Sequence, residues 1–364
     1  MKDGKAAALS LAAGCLLAFL LLEALLRIFN PFGFRLKGEE ILPPAGKVYK
    51  IEHHSFGKLD PVILHTKNSL GFRGPEPSPN PDAELGIIAV GGSTTECFYL
   101  SDGTAWPDRL AALAAADFSP VWLNNAGLDG HSTYGHLLLL KQHVLKLRPK
   151  VVIFLVGLND LGRPAQVAGG EFFPRLAGHS AVFSMFENLS RFMDAKRKGL
   201  LHRQLDLKTL PQSLLEPEQE RKLLKTYEAG PLLDAYRERL HALIALCRAN
   251  GIEPVFITQP ALYGFGKDPQ TGVDLASIRA WEGNGAVSWK IMEMYNDVAR
   301  GECRKGSVLC VDLAGAMPKD SAYYYDFYHF TRAGAEKVAD IVYHELKPFL
   351  ERRYGGFRRQ AGSV

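Results

Sequence analysis

The chain has 364 residues, of which 47% are hydrophobic and 23% charged, with a formal net charge of +4. This composition supplies ample core and excludes a disordered chain, while the small charge, with no aromatic platform or recognition helix beside it, excludes a nucleic-acid module. Five cysteines in a chain of this length do not make a disulfide scaffold, although Cys303 and Cys310 flank a turn and could pair in an oxidising compartment.

The first predicted element runs from Ala6 to Phe29, an apolar stretch long enough to cross a bilayer and interrupted by Glu23 and Arg27 near its end. It reads as a signal anchor. A cleaved signal peptide is the rival, but no small-x-small cleavage site follows, and the apolar run continues past Cys15, where a lipoprotein signal would stop. Lys2 and Lys5 favour a cytoplasmic N-terminus, hence a single-pass protein of the inner membrane with its remaining domain outside the cytoplasm; Arg27, Arg35 and Lys37 weaken that bias. Residues 1–30 are therefore expected to be the anchor and 31–65 a linker. The segment NSLGFRG, Asn68 to Gly74, reads as a glycine turn with Phe72 against the core.

Gly86 to Val90 is an apolar run with the character of a buried parallel strand, and Gly91 and Gly92 let the backbone turn after it. Ser93 would then open a helix, where unsatisfied N–H groups and the dipole favour an oxyanion beside its hydroxyl. The competing reading makes Ser93-Thr94-Thr95-Glu96 a capping box, with the serine a structural cap. Three further strands end in the same manner. Val121 runs into a loop holding Gly130, whose N–H can approach a bound group; Val151 to Gly157 delivers Asn159, whose side-chain NH₂ suits a developing negative oxygen; Val308 to Ala314 precedes Asp326 and His329. In Asp-x-x-His the carboxylate can hold one imidazole nitrogen, leaving the other to take a serine proton. The alternative is a loop salt bridge ahead of a final helix capped by Thr331.

With a further strand near Pro254, strands alternate with helices near Trp106–Ala116, Tyr134–Leu147, Leu233–Asn250, Trp289–Arg300 and Ala333–Leu350. The alternation predicts an α/β, doubly wound three-layer sandwich around a five-stranded parallel sheet, active at the carboxyl ends of its strands. Two insertions interrupt it. Residues 163–231 form either a lid, with Phe172, Phe173, Phe183 and Phe186 as an apolar platform, or a self-packed helical excursion; Tyr263 to Gly285 reads as a long surface loop. Basic clusters at Ala195–Arg203 and at Arg352, Arg353, Arg358 and Arg359 read as solvated faces, the second within a basic C-terminal tail, 351–364.

In order, GGST, NAGLDG, GLND and DFYH resemble the blocks of the SGNH or GDSL family of serine esterases and acyl hydrolases, through Ser93, Gly130, Asn159, and Asp326 with His329. Gly92 stands where the Gly-Asp-Ser form has its aspartate, a position outside the triad. The resemblance spans about residues 66–346, within a catalytic domain drawn at 66–350. It implies a flavodoxin-like SGNH fold and a triad of Ser93, His329 and Asp326. It also implies an oxyanion hole from the Ser93 and Gly130 N–H groups with the Asn159 amide, and no cofactor. His53, His54, His131 and His136 lack metal-ligand spacing. The implied substrate is a small-molecule or polysaccharide ester, with O-deacetylation of an envelope or exported polysaccharide as one form. An O-acetyltransferase acting on such a polysaccharide, or a non-catalytic carbohydrate-binding component, is the alternative.

Overall fold

Apolar runs that are buried on both faces have one stable arrangement in an alternating chain, a parallel sheet covered by helices. The computed structural model describes residues 2–29, 36–37, 40–53, 56–162, 179–197, 202–228 and 230–359. Its elements, in chain order, are α1 (Lys2–Phe29), β1 (Leu36–Lys37), β2 (Glu40–Ile41), β3 (Val48–Glu52), β4 (Val62–Thr66), β5 (Leu85–Gly91), α2 (Ser93–Glu96), α3 (Trp106–Asp117), β6 (Val121–Asn125), α4 (Thr133–Gln142) and β7 (Val151–Leu155). There follow α5 (Ala181–Arg197), α6 (Pro217–Glu228), α7 (Pro231–Ala249), β8 (Glu253–Ile257), α8 (Gly285–Gly306), β9 (Leu309–Val311), α9 (Leu313–Ala316) and α10 (Arg332–Tyr354). They fall into two units, one of residues 1–43 with 166–200, the other of 44–165 with 201–364.

The larger unit is built on a five-stranded parallel sheet in the order β6-β5-β7-β8-β9. Every residue of β5 and β7 is buried, which is why those strands read as continuous apolar runs rather than alternating ones. Helices α3 and α10 pack together as one covering layer, and α4, α7 and α8 as the other. The first strand, β5, lies between β6 and β7, so the strand order reverses at its carboxyl end, where doubly wound sheets place their ligands.

One helix end differs from the sequence reading, and two further segments carry structure of their own. The helix expected to reach Leu147 stops at Gln142, where His143 leaves helical backbone at φ −127°, and a 3-10 turn over Val144–Leu147 follows, closed by Arg148 at φ 51° before Pro149. Within the stretch read as a linker, β3 and β4 form an antiparallel ladder, Val48 opposite Thr66, whose period-two burial sets Ile63 and His65 inward. The described part of the C-terminal tail is tied down. Arg353 pairs with Glu253 at 2.5 Å, and the Phe357 carbonyl accepts from Ser119 N at 2.7 Å.

In the smaller unit α1 contains a helix long and apolar enough to cross a membrane, Leu9–Phe29, with mean hydropathy 2.3. Its two charged residues have local partners. Glu23 accepts from Ser180 Oγ at 2.7 Å and from the first N–H groups of α5, Ala181 at 2.8 Å and Val182 at 3.0 Å, while Arg27 pairs with Glu23 at 2.6 Å. A carboxylate from another helix thus caps α5. Of the aromatic residues expected to form a platform, Phe183 packs on Phe19 at 6.1 Å and Phe186 is exposed, while Phe172 and Phe173 lie outside the described residues. All five cysteines are free thiols, Cys303 and Cys310 being hydrogen-bonded neighbours.

Candidate active site

Ser93 is the first residue of α2, and Gly92 is its N-cap, with no side-chain capping bond. The capping-box reading therefore fails: the serine hydroxyl points elsewhere. Its Oγ lies 2.8 Å from His329 Nε2, and His329 Nδ1 lies 2.6 Å from Asp326 Oδ2. The other Asp326 oxygen accepts from the N–H groups of Tyr328 at 2.8 Å and His329 at 2.7 Å, so the loop's own backbone orients the carboxylate. All three residues are buried, Ser93 and His329 at 4% exposure.

Burial pushes the Asp326 carboxyl up, but the pull of His329 and its hydrogen bonds is stronger, and Asp326 sits below its usual range. Burial holds the His329 imidazole below its usual range against the pull of Asp326. A neutral imidazole backed by a carboxylate can accept a proton from Ser93 at neutral pH.

A helix of four residues cannot satisfy its own carbonyls, so neighbouring elements do it for α2. Trp106 Nε1 donates to the Thr94 carbonyl at 3.1 Å and Asn125 Nδ2 to that of Thr95 at 2.7 Å. Arg73, fully buried, donates to the carbonyls of Glu96 at 3.0 Å, Cys97 at 2.8 Å and Leu100 at 2.9 Å. The NSLGFRG turn thus buries Phe72 as expected, and its neighbouring arginine also clamps the serine helix, which the sequence reading missed.

Glu96 ties α2 to the next loop. It pairs with Lys67 at 2.9 Å, both side chains fully buried, and accepts the Asp129 N–H at 2.6 Å. Gly130 follows at φ 75°, a left-handed conformation that suits glycine, with open space where a side chain would stand. After β7, Asn159 Nδ2 donates to the His131 carbonyl at 3.0 Å. A methyl carbon placed on Gly92 would lie 2.3 Å from Asn159 Nδ2 and 3.1 Å from the His131 carbonyl, so the three groups converge beside Ser93. The adjacent Asp160 holds the start of α4 through Thr133 Oγ1 and pairs with Arg239 at 3.1 Å.

One residue read as part of a solvated basic face lies in this site instead. The His202 ring centroid is 3.9 Å from that of His329, and its side chain is 9% exposed. Its Nδ1 lies 2.6 Å from Tyr325 Oη, and its Nε2 lies 3.5 Å from Asp129 Oδ2. No local pattern marks it, since a histidine in a basic run carries no periodic signal. Donor atoms of His202, Asp326 and His329 lie within 4.8 Å of one another, but both His329 nitrogens are engaged by Asp326 and Ser93, which accounts for the cluster by hydrogen bonding.

The model of the GDSL-like lipase/acylhydrolase family matches residues 89–337. Among solved structures, LAE5, an alpha/beta hydrolase enzyme from the metagenome of Lake Arreo, Spain, is 15% identical, with a TM-score of 0.43 over 73% of this chain and 95% of its own. Axe2, an acetylxylan esterase from Geobacillus stearothermophilus, is 15% identical, with a TM-score of 0.43 over 73% of this chain and 94% of its own. No curated protein matches the chain in sequence.

Proposed function

Because the chain belongs to the GDSL-like lipase/acylhydrolase family and is an enzyme acting on ester bonds, we propose that it is a serine esterase working through an acyl-Ser93 intermediate. The observation that carries this reading is the hydrogen-bond chain from Ser93 Oγ through His329 to Asp326 at the carboxyl edge of the sheet. His329 Nε2 takes the hydroxyl proton as Ser93 Oγ attacks the ester carbonyl, and Asp326 holds the resulting imidazolium. The Ser93 and Gly130 N–H groups and the Asn159 amide receive the tetrahedral oxyanion, each such donor stabilising the transition state by about 3 kcal/mol. Collapse expels the alcohol with the proton from His329. Water, deprotonated by the same imidazole, then releases the acid.

The acyl group is short, acetyl foremost, on an envelope or exported polysaccharide. Two observations support this. Ser93 and His329 at 4% exposure restrict the entry of a long chain, and α1, acting as a single-pass anchor with Lys2 and Lys5 in the cytoplasm, would hold the enzyme at the envelope. The test is hydrolysis of 4-nitrophenyl esters of increasing chain length by the full chain. We expect kcat/KM to be highest with acetate and to decline with length; an optimum at long acyl chains would overturn the acetyl assignment.

The contact at Gly92 yields a second expectation. Gly92→Ala forces the Asn159 amide aside and crowds the His131 carbonyl, which that amide holds. The proposed loss of an oxyanion donor should lower kcat by about 10²-fold with little change in KM. Wild-type kcat in this variant would remove Asn159 from the mechanism.

A further inference from the structure

His202 is a second imidazole in the site, and the catalytic scheme above makes no use of it. Its ring lies against the face of His329, 3.9 Å between centroids and 34° between planes. Tyr99 flanks it at 4.9 Å, and Tyr325 meets its Nδ1 at 2.6 Å, so little water reaches it. The charged groups facing it come from three places. Asp129, from the loop after β6, lies 3.5 Å from Nε2; Glu96, from α2, is balanced by Lys67; Asp326 belongs to the His329 loop and is bonded to His329. Of these, Asp129 is the carboxylate paired with His202 itself.

We propose that His202 is a positioning residue: together with Asp129 it places a positive charge against the face of His329 and so sets the lowest pH at which His329 can activate Ser93. This deepens the serine-esterase reading and rests on it. Two imidazolium ions at this separation repel, so a proton held on His202 beside Asp129 makes a second proton on His329 costlier, against the pull of Asp326 on that ring. Burial works against a charged His202, but Asp129 beside it outweighs burial and holds His202 above its usual range, while His202 adds to the burial that holds His329 below its own. The sign follows directly. A His329 that protonates at lower pH remains a competent base at lower pH, so the acid limb of activity sits lower than for an isolated imidazole. The same repulsion makes the His329 imidazolium a stronger acid toward the departing alcohol.

The test compares kcat/KM against pH for 4-nitrophenyl acetate, between about pH 5 and 9, in the full chain and in His202→Gln, with His202→Phe as a second uncharged variant that keeps a ring over His329. We expect the acid limb to move up by about one pH unit in both variants. In parallel, ¹H–¹⁵N spectra of the imidazoles follow the His329 midpoint without turnover, and this midpoint should rise by the same amount. An acid limb and a His329 midpoint that stay in place, or fall, in folded variants would overturn the proposal. A wild-type chain that turns over no ester would overturn the esterase reading, and the His329 midpoint would still decide whether His202 holds it down.

Discussion

Replacing Ser93 with alanine should lower kcat/KM toward 4-nitrophenyl acetate by at least about 10⁴-fold while leaving the fold in place. The magnitude follows from the lack of a substitute beside it. Thr94 Oγ1 is directed at Gln259 Oε1, 3.3 Å away, and Thr95 Oγ1 lies beneath Gly91, within 2.1 Å of where a Cβ there would stand. Neither hydroxyl has the imidazole that Ser93 has at 2.8 Å. The fold should persist because the substitution removes one hydrogen bond, a change of about 1 kcal/mol, and Ser93 caps nothing. Circular dichroism and the denaturation midpoint report the fold, and initial rates report the chemistry. A variant retaining activity within tenfold of wild type would remove Ser93 as the nucleophile.

The largest effect on stability is expected at Arg73, from a turn remote in sequence from the triad. Its guanidinium is fully buried, donates to three carbonyls at the end of the serine helix, and lies 3.3 Å from Asp102 and 3.8 Å from Asp108. Arg73→Met keeps much of the volume but takes the guanidinium from all three carbonyls, of which that of Cys97 keeps the Leu100 N–H at 3.0 Å and that of Glu96 keeps Asn125 Nδ2 at 3.5 Å, and leaves Asp108 without its buried countercharge. Removing one partner from such a buried network should cost about 3–5 kcal/mol, read as a lower urea midpoint with an unchanged slope. Arg73→Lys retains the charge but not the fork that serves several acceptors at once, so it should recover part of this loss and not all. Because Arg73 holds α2 from below, the folded fraction of Arg73→Met should also show reduced kcat. A loss under about 1 kcal/mol would mean that water replaces the guanidinium, and the clamp would be discarded.

The groups proposed to be catalytic and their supports differ in how they can be read from the chain. Ser93, Gly130, Asn159, Asp326 and His329 each follow an apolar run that became a strand, and in a parallel doubly wound sheet all such strands end on one edge. The groups that hold them were out of reach. Arg73 acts on carbonyls 23 to 27 positions away, Glu96 on the backbone of Asp129 33 positions on, and His202 on a ring in the loop after α9. Glu23 likewise looked like a flaw near the end of an apolar helix until α5 supplied the N–H groups it caps.

The sequence by itself determined the α/β class, the five parallel strands and the five residues they carry to one edge, because buried strands and glycine turns leave a local signal in hydrophobicity and backbone freedom. Tertiary structure alone decided that Ser93 faces His329 rather than capping its own helix, that Arg73 and Glu96 complete that helix, and that His202 lies on the imidazole. Those are contacts between side chains and polar groups distant in the chain. Their energy depends on geometry within a few tenths of an ångström, and no periodicity of composition encodes it.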